Sequence, residues 1–252
     1  MSDERSPAEQ QAPSRKEVWK MFDRIAHRYD LLNRVLSFGR DVAWRKRVAG
    51  HLPDRPDCSV LDLATGTADL LISVYDHSGR VKQGMGIDMA DKMLAIALEK
   101  ISDRNLGDVL TVAQGDAMNM PFAGGSFDAV MIAFGIRNLT DVPAGLKEMH
   151  RVLNDGGRAL ILEFSLPENR FMRGLYLIYF RYVLPVVGAI ISGDSYAYRY
   201  LNRTVETFPY GTEFCELMKE AGFVNVSADR LTFGVATIYE GTRANLNGGQ
   251  FG

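Results

Sequence analysis

Only two cysteines occur in the 252 residues, Cys58 and Cys215. They fit no CxxC or finger spacing, which argues against a disulfide framework and a zinc site and leaves a reducing, cytoplasmic setting as the expectation, with no metal ion. Long uncharged apolar runs are also missing. The nearest approach, 174–192, is 19 residues with Arg181 near its middle and a helix-breaking Pro185, so a membrane span is not expected. The first 14 residues lack the apolar segment of a signal peptide and read as a disordered tail, as 245–252 read as a flexible end. An excess of one charge is absent as well: 29 Lys and Arg stand against 31 Asp and Glu, which argues against a dedicated nucleic-acid binder. Neither GxGxxG nor GxxxxGK[ST] follows the first apolar run, which disfavours dinucleotide and P-loop phosphate cradles.

What is present is an ordinary core-forming composition, 46% hydrophobic and 24% charged, enough to bury a full core without staples. Val18, Phe22, Ile25, Tyr29 and Leu32 recur at steps of 4, 3, 4 and 3 and predict an amphipathic helix. A second short helix runs through Val42, Trp44 and Val48. From residue 59 short apolar runs (59–64, 84–88, 109–116, 127–134, 158–165) alternate with helical periods (68–77, 90–101, 142–153). Alternation at these lengths predicts βαβ units, hence an α/β, Rossmann-like, doubly wound and mostly parallel sheet. A helix near 212–221 and two strands, 223–229 and 234–240, then close the chain as an antiparallel hairpin, for seven strands expected. The domain expectation is a single unit over 15–244, with N-terminal helices (15–50) and an apolar helical insertion at about 168–205.

Ligands of open α/β sheets sit beyond the carboxyl ends of the strands. After the first strand stands Asp62-Leu63-Ala64-Thr65-Gly66-Thr67-Ala68-Asp69, a small-residue turn that lets a ligand reach backbone N–H groups. Asp88 ends the second strand, where a carboxylate accepts ribose hydroxyls, and Asp116-Ala117 follows the third, where an adenine amino group would lie. Asp88 and Asp116 also qualify as plain helix caps. Three successive strand ends with this chemistry favour a nucleoside-like ligand.

These segments, VLDLATGTADL, GIDMADKMLAIA, QGDAMNMPF, SFDAVMIAFGIRN and MHRVLNDGGRALILEFS, resemble the motifs of class I S-adenosylmethionine-dependent methyltransferases. With FDRIAHRYDLLN, FGIRNLTD, GDSYAYRYL and AGFVNV, the chain over about 18–243 more narrowly resembles the ubiquinone/menaquinone biosynthesis C-methyltransferase family. It departs from that family's usual pattern at Ala64 and Ala68 (glycines), Ala133 (serine), Asp41 (histidine) and Asn154-Asp155 (Lys-Pro). The resemblance implies S-adenosyl-L-methionine as cofactor, with Tyr29, Asp62, Gly66, Thr67, Asp88, Met89, Asp116 and Ala117 as its candidate contacts. It implies methylation of a ring carbon of a polyprenyl quinol, benzo- or naphthoquinol, with another hydrophobic acceptor or mere cofactor binding as the rival readings.

Arg137 and Asn138 of FGIRN are the candidate catalytic residues. A guanidinium is no base near neutral pH but stabilises a quinolate or orients a water. His27 and Tyr29 lie about 200° apart on a helix, so both cannot line one pocket, and Tyr29 is favoured. Tyr198, Arg199, Tyr200 and Asn202 are further candidates for hydrogen bonds to the quinol. Two basic stretches stand out: ten Lys and Arg against four acids over 15–47, and five Arg against one acid over 170–203. With the aromatic residues Tyr176, Tyr179, Phe180 and Tyr182, they suggest peripheral contact with an anionic membrane at its inner face. A homo-oligomer is left open.

Overall fold

The computed structural model describes residues 18–183, 200 and 203–245. Two helices, α1 (Val18–Leu36) and α2 (Arg40–Val48), precede the sheet. Then follow β1 (Cys58–Leu63), α3 (Asp69–Ser78), β2 (Val81–Asp88), α4 (Asp91–Asp103), β3 (Leu110–Gln114), β4 (Phe127–Ala133), α5 (Val142–Val152) and β5 (Leu153–Phe164). After α6 (Arg170–Ile178) come α7 (Thr212–Glu220), β6 (Phe223–Leu231) and β7 (Ala236–Arg243). The seven strands form one sheet in the order β3-β2-β1-β4-β5-β7-β6. β1 to β5 are parallel, and β7 runs antiparallel to both of its neighbours.

Alternation within the strands divides the core. Val60, Met131, Leu160 and Leu162 pack with Leu71, Val74 and Trp44 on one face, whereas Leu61, Leu63, Val130 and Ile132 meet Leu146, Met149, Phe214 and Met218 on the other. Both faces are covered, so these strands read as nearly continuous apolar runs. The chain winds outward from β1 to β3 and restarts at β4. That reversal opens a crevice at the carboxyl ends of β1 and β4, where ligands bind in such sheets.

β5 begins at Leu153, five residues before the expected 158. α5 ends at Val152 and pairing starts at once, with Leu153 opposite Phe127, before the register jumps to Arg158 opposite Ala129. Gly156 takes a left-handed φ of 71° inside this bulge, and a Cβ on Gly157 would lie 2.8 Å from the Asn154 carbonyl oxygen. The two glycines that look like a loop in sequence therefore form a kink within a strand.

α6 continues into a π-helical turn over Tyr179–Val183. Phe180 is buried there against Val18, Met21, Ile25, Tyr200 and Val205, which docks the start of the insertion onto α1. Arg181 reaches Glu206 with two hydrogen bonds, 2.9 and 2.6 Å. Pro185, Tyr198, Arg199 and Asn202 lie outside the described residues, as do the expected tails apart from Asn245. Among the described residues, no helix is long and apolar enough to cross a membrane.

Candidate active site

The turn after β1 is built from left-handed residues: Ala64, Gly66 and Ala68 have φ of 47°, 57° and 62°. For the alanines this conformation costs about 1–2 kcal/mol each, the cost a glycine there avoids. The turn is held from β2. Asp88 accepts hydrogen bonds from the backbone N–H groups of Gly66 and Ala90, both at 2.8 Å. Asp88 is therefore an anchor for the turn rather than a side-chain cap of α4, whose first turn begins beyond Ala90. Burial raises its pKa, opposed by these N–H donors.

A cavity of about 260 Å³ opens at this point. Tyr29, Gly66, Asp88, Met89, Asp116, Ala117 and Asn138 are among the residues that line it. Seven candidates from four strand ends and α1 are thus brought together. α1 forms one wall with Val18, Trp19, Phe22 and Tyr29, while His27 is exposed on its other side. Asp116 turns its carboxylate to the backbone N–H of Met118, 2.8 Å away.

Three candidates do not line this cavity. Asp62 lies behind the turn, 1% exposed, in a small recess shared with Tyr29, Arg45 and Gly66. One of its oxygens accepts from the Thr65 hydroxyl at 2.6 Å, and the other, Oδ1, has no partner. Burial pushes its pKa up to about 7, the Thr65 hydrogen bond opposing and the charge of Asp88 adding to the rise. Thr67 donates its hydroxyl to Asp30 of α1 at 2.7 Å, and Lys100 of α4 joins Asp30, Thr67 and Asp69 with contacts of 2.6, 2.9 and 2.6 Å. Its side chain serves the seam between α1 and the turn.

Arg137, in a 3-10 turn after β4, is the third. Its Nη1 donates to Glu163 Oε1 at 2.7 Å and to the Phe134 carbonyl at 2.6 Å, and its guanidinium lies 5.5 Å from the centre of the Phe164 ring. Asn138, beside it, accepts a hydrogen bond from the Tyr200 hydroxyl at 3.2 Å. Asp41 is buried within the N-terminal segment, bonded to Arg45 and to the Ser37 hydroxyl, and Arg45, 3.6 Å from Asp69, links that segment to the start of α3.

Glu163, Asp30, Phe134 and Leu139 were not singled out from sequence. Glu163 had one usable signal. It is the lone acid in the strand run ALILEF, where a charge is unexpected without a partner.

A β3-β2-β1-β4-β5-β7-β6 sheet with a reversed last strand, acids from two strand ends lining one crevice and a third, Asp62, buried behind its first turn are the marks of a class I methyltransferase that uses S-adenosyl-L-methionine. The free Oδ1 of buried Asp62 matches an ammonium group, the Asp88 carboxylate matches ribose hydroxyls, and Met89, Met93 and Ala117 give an apolar slot for a base. The residues present fit that cofactor. The chain belongs to the ubiE/COQ5 methyltransferase family, whose profile matches residues 9–243.

It is 45% identical over 223 residues to the demethylmenaquinone methyltransferase of Thermus thermophilus, covering 88% of this chain and 100% of that one. To the ubiquinone/menaquinone biosynthesis C-methyltransferase UbiE of Geotalea daltonii it is 41% identical over 228 residues, covering 90% and 97%. In fold it is similar to a SAM-dependent methyltransferase of Thermotoga maritima, with a TM-score of 0.63 at 19% identity over 89% of this chain and 99% of that one. The [4+2]-cyclase SpnF is as close in shape, with a TM-score of 0.62 at 16% identity over 93% and 97%. Shape alone therefore does not fix the chemistry.

Proposed function

We propose that the protein methylates a ring carbon of a polyprenyl quinol, a demethylmenaquinol or a methoxy-polyprenyl-benzoquinol. The observation that carries this reading is family membership, together with relatives of that named activity at about 40% identity that are covered almost end to end.

When bound, the cofactor supplies a methyl group already activated on a sulfonium. The chain's own residues do the rest. Asp88 and the Gly66 turn hold the nucleoside end, Asp62 offers its free oxygen to the amino-acid end, and α1 closes the cavity from water. Phe134, Leu139 and Met118 give the remaining wall an apolar character suited to a ring. A ring carbon is a weak nucleophile until a neighbouring hydroxyl ionises, so positive charge close to that hydroxyl favours reaction. Arg137, behind the cavity wall at the end of β4 and paired with Glu163, is the candidate for that charge, and Asn138 lines the cavity with the Tyr200 hydroxyl bonded to it.

A lipid-soluble acceptor also requires access to a bilayer. Phe171, Leu175, Ile178 and Tyr182 form an exposed stripe along α6 and the turn after it, 74%, 49%, 58% and 70% exposed. Arg170 and Arg173 flank it, and this face is the proposed peripheral contact with anionic lipid at the inner side of the membrane.

The test is direct. Purified protein with labelled S-adenosyl-L-methionine is offered reduced demethylmenaquinol and the methoxy-benzoquinol separately, and methylated quinone is read by mass spectrometry. Methylation of at least one is expected. No transfer to either, with cofactor binding intact, would overturn the reading and leave another acceptor or a binding role.

A further inference from the structure

Among the described residues, four buried side-chain polar atoms have no hydrogen-bond partner: Asn33 Nδ2, Asp62 Oδ1, Arg137 Nε and Glu163 Oε2. Two of the four belong to a single ion pair. Native interiors seldom leave such atoms unmatched, and each calls for an explanation. The Arg137 and Glu163 side chains are 6% and 1% exposed, so water does not answer for them freely.

The pair is strongly held on its other atoms. Glu163 Oε1 accepts from Arg137 Nη1 and, at 2.8 Å, from the backbone N–H of Phe164, while Nη1 also binds the Phe134 carbonyl. The fully buried atoms left over are one donor, Nε–H, and one acceptor, Oε2. A group that answers both through a single atom is a hydroxyl, which accepts and donates at the same oxygen. The location suits a substrate. The pair stands at the carboxyl ends of β4 and β5, one residue from the cavity-lining Asn138, and Tyr29 in the cavity wall feels the charge of Arg137.

We propose that this pair receives one hydroxyl of the acceptor ring, Arg137 Nε–H donating to its oxygen and Glu163 Oε2 taking its proton. The assignment rests on the quinol reading above. Because a guanidinium stays protonated at any working pH, the proton acceptor beside it is the carboxylate.

The step balances as follows. The O–H bond breaks with its electron pair left on oxygen, and the proton forms a bond to Oε2. The ring carbon gains a bond to the methyl carbon as the S–CH₃ bond breaks, its pair remaining on sulfur. The ring C–H proton then leaves, the hydroxyl is re-formed from Glu163, and one net proton goes to water. Arg137 from the turn after β4 is in direct contact with Glu163, and Tyr176 from α6 and Tyr239 from β7 are near enough for its charge to add to the rise that burial gives their pKa. Burial raises the carboxyl's proton affinity and Arg137 opposes the rise, which suits a base better than an ordinary exposed glutamate.

The experiment compares wild type, Glu163→Gln and Glu163→Asp, with melting temperature and S-adenosylhomocysteine affinity measured alongside. In the wild type kcat should fall as pH drops through the pKa of Glu163, above the usual glutamate range. Glu163→Gln should lose about 100-fold or more in kcat and lose that acid limb, with cofactor-product affinity unchanged. Glu163→Asp should be slower yet keep the limb.

Wild type without cofactor should also bind 1-naphthol at least about tenfold more tightly than 1-methoxynaphthalene, since a site that pairs a hydroxyl rejects its ether. A folded Glu163→Gln enzyme with near-normal kcat and an intact limb would overturn the proposal, as would equal binding of the two naphthalenes. If the Gln variant does not fold, the Asp variant decides, and loss of its limb would count against the proposal. Failure of the quinol reading shows differently, as a wild type that methylates no quinol.

Discussion

At the scale of single residues, Asp62 is the most informative side chain. Its folded pKa of about 7 stands above the ordinary value of 3.8, so between those values the native state holds more protons than the unfolded chain. The stability this confers is complete below the unfolded value and is lost as pH rises through about 7. A ligand ammonium beside Oδ1 favours the carboxylate, so binding of S-adenosylhomocysteine near pH 6.5 should release protons. Calorimetry in buffers of different ionisation enthalpy should show that release in the wild type and its loss in Asp62→Asn. On its proposed role Asp88 is a charged acceptor of ligand hydroxyls, and Asp88→Ala removes that acceptor and also frees the Gly66 N–H. An affinity loss of about ten- to hundredfold is expected, equivalent to roughly 1.5–3 kcal/mol. Arg137→Gln should instead depress kcat while S-adenosylhomocysteine binding stays near normal, because its charge matters as the ring ionises. The acids at strand ends were legible because the open-sheet rule says where to look, and a short segment contains each one. The partnership of Arg137 with Glu163 was not, since 26 residues separate them and no local spacing joins the ends of two strands.

Among the elements, α1 differs from the rest in lying over the site rather than under the sheet. It is fastened by Asp30 to Thr67 and Lys100 and by Asp23, which accepts from the Lys92 N–H at 3.0 Å. We expect cofactor exchange to displace this wall. Asp30→Ala should therefore speed S-adenosylhomocysteine release by roughly two- to fivefold, a modest factor because the contacts are partly exposed. Stopped-flow displacement would measure it, and an unchanged release rate would show that the ligand leaves by another side. The amphipathic period of α1 was readable, and so was the stripe that carries Tyr29. Its tie to the turn was hidden, because Thr67 resembles a ligand contact in sequence and becomes a seam only when Asp30 arrives from 37 residues away. The start of β5 was misplaced for a related reason: Gly156-Gly157 signals a turn locally, while pairing with β4 draws the same residues into the strand.

At the scale of the whole molecule, the exposed Phe171, Leu175 and Ile178 of α6 stand beside the exposed Arg170 and Arg173, the face proposed above for anionic lipid. Exchanging Arg170 and Arg173 for Glu should weaken binding to anionic vesicles by at least about tenfold, given about 1 kcal/mol for each basic group near the surface. Arg181 is less suited to that test because Glu206 already holds it. Co-sedimentation at low and high salt checks this, with equal recovery from neutral and anionic lipid as the adverse result. The sheet order carries a further consequence for how the chain is made. β7 lies between β5 and β6, although it is the last of the seven strands in sequence. A nascent chain that has emerged only as far as β6 has nowhere to put that strand, and β5 presents a bare edge bordered by Ile161 and Leu162. Synthesis from the N-terminus thus delivers the sheet's missing interior piece last, so translation must run past Arg243 before either strand is shielded from other chains.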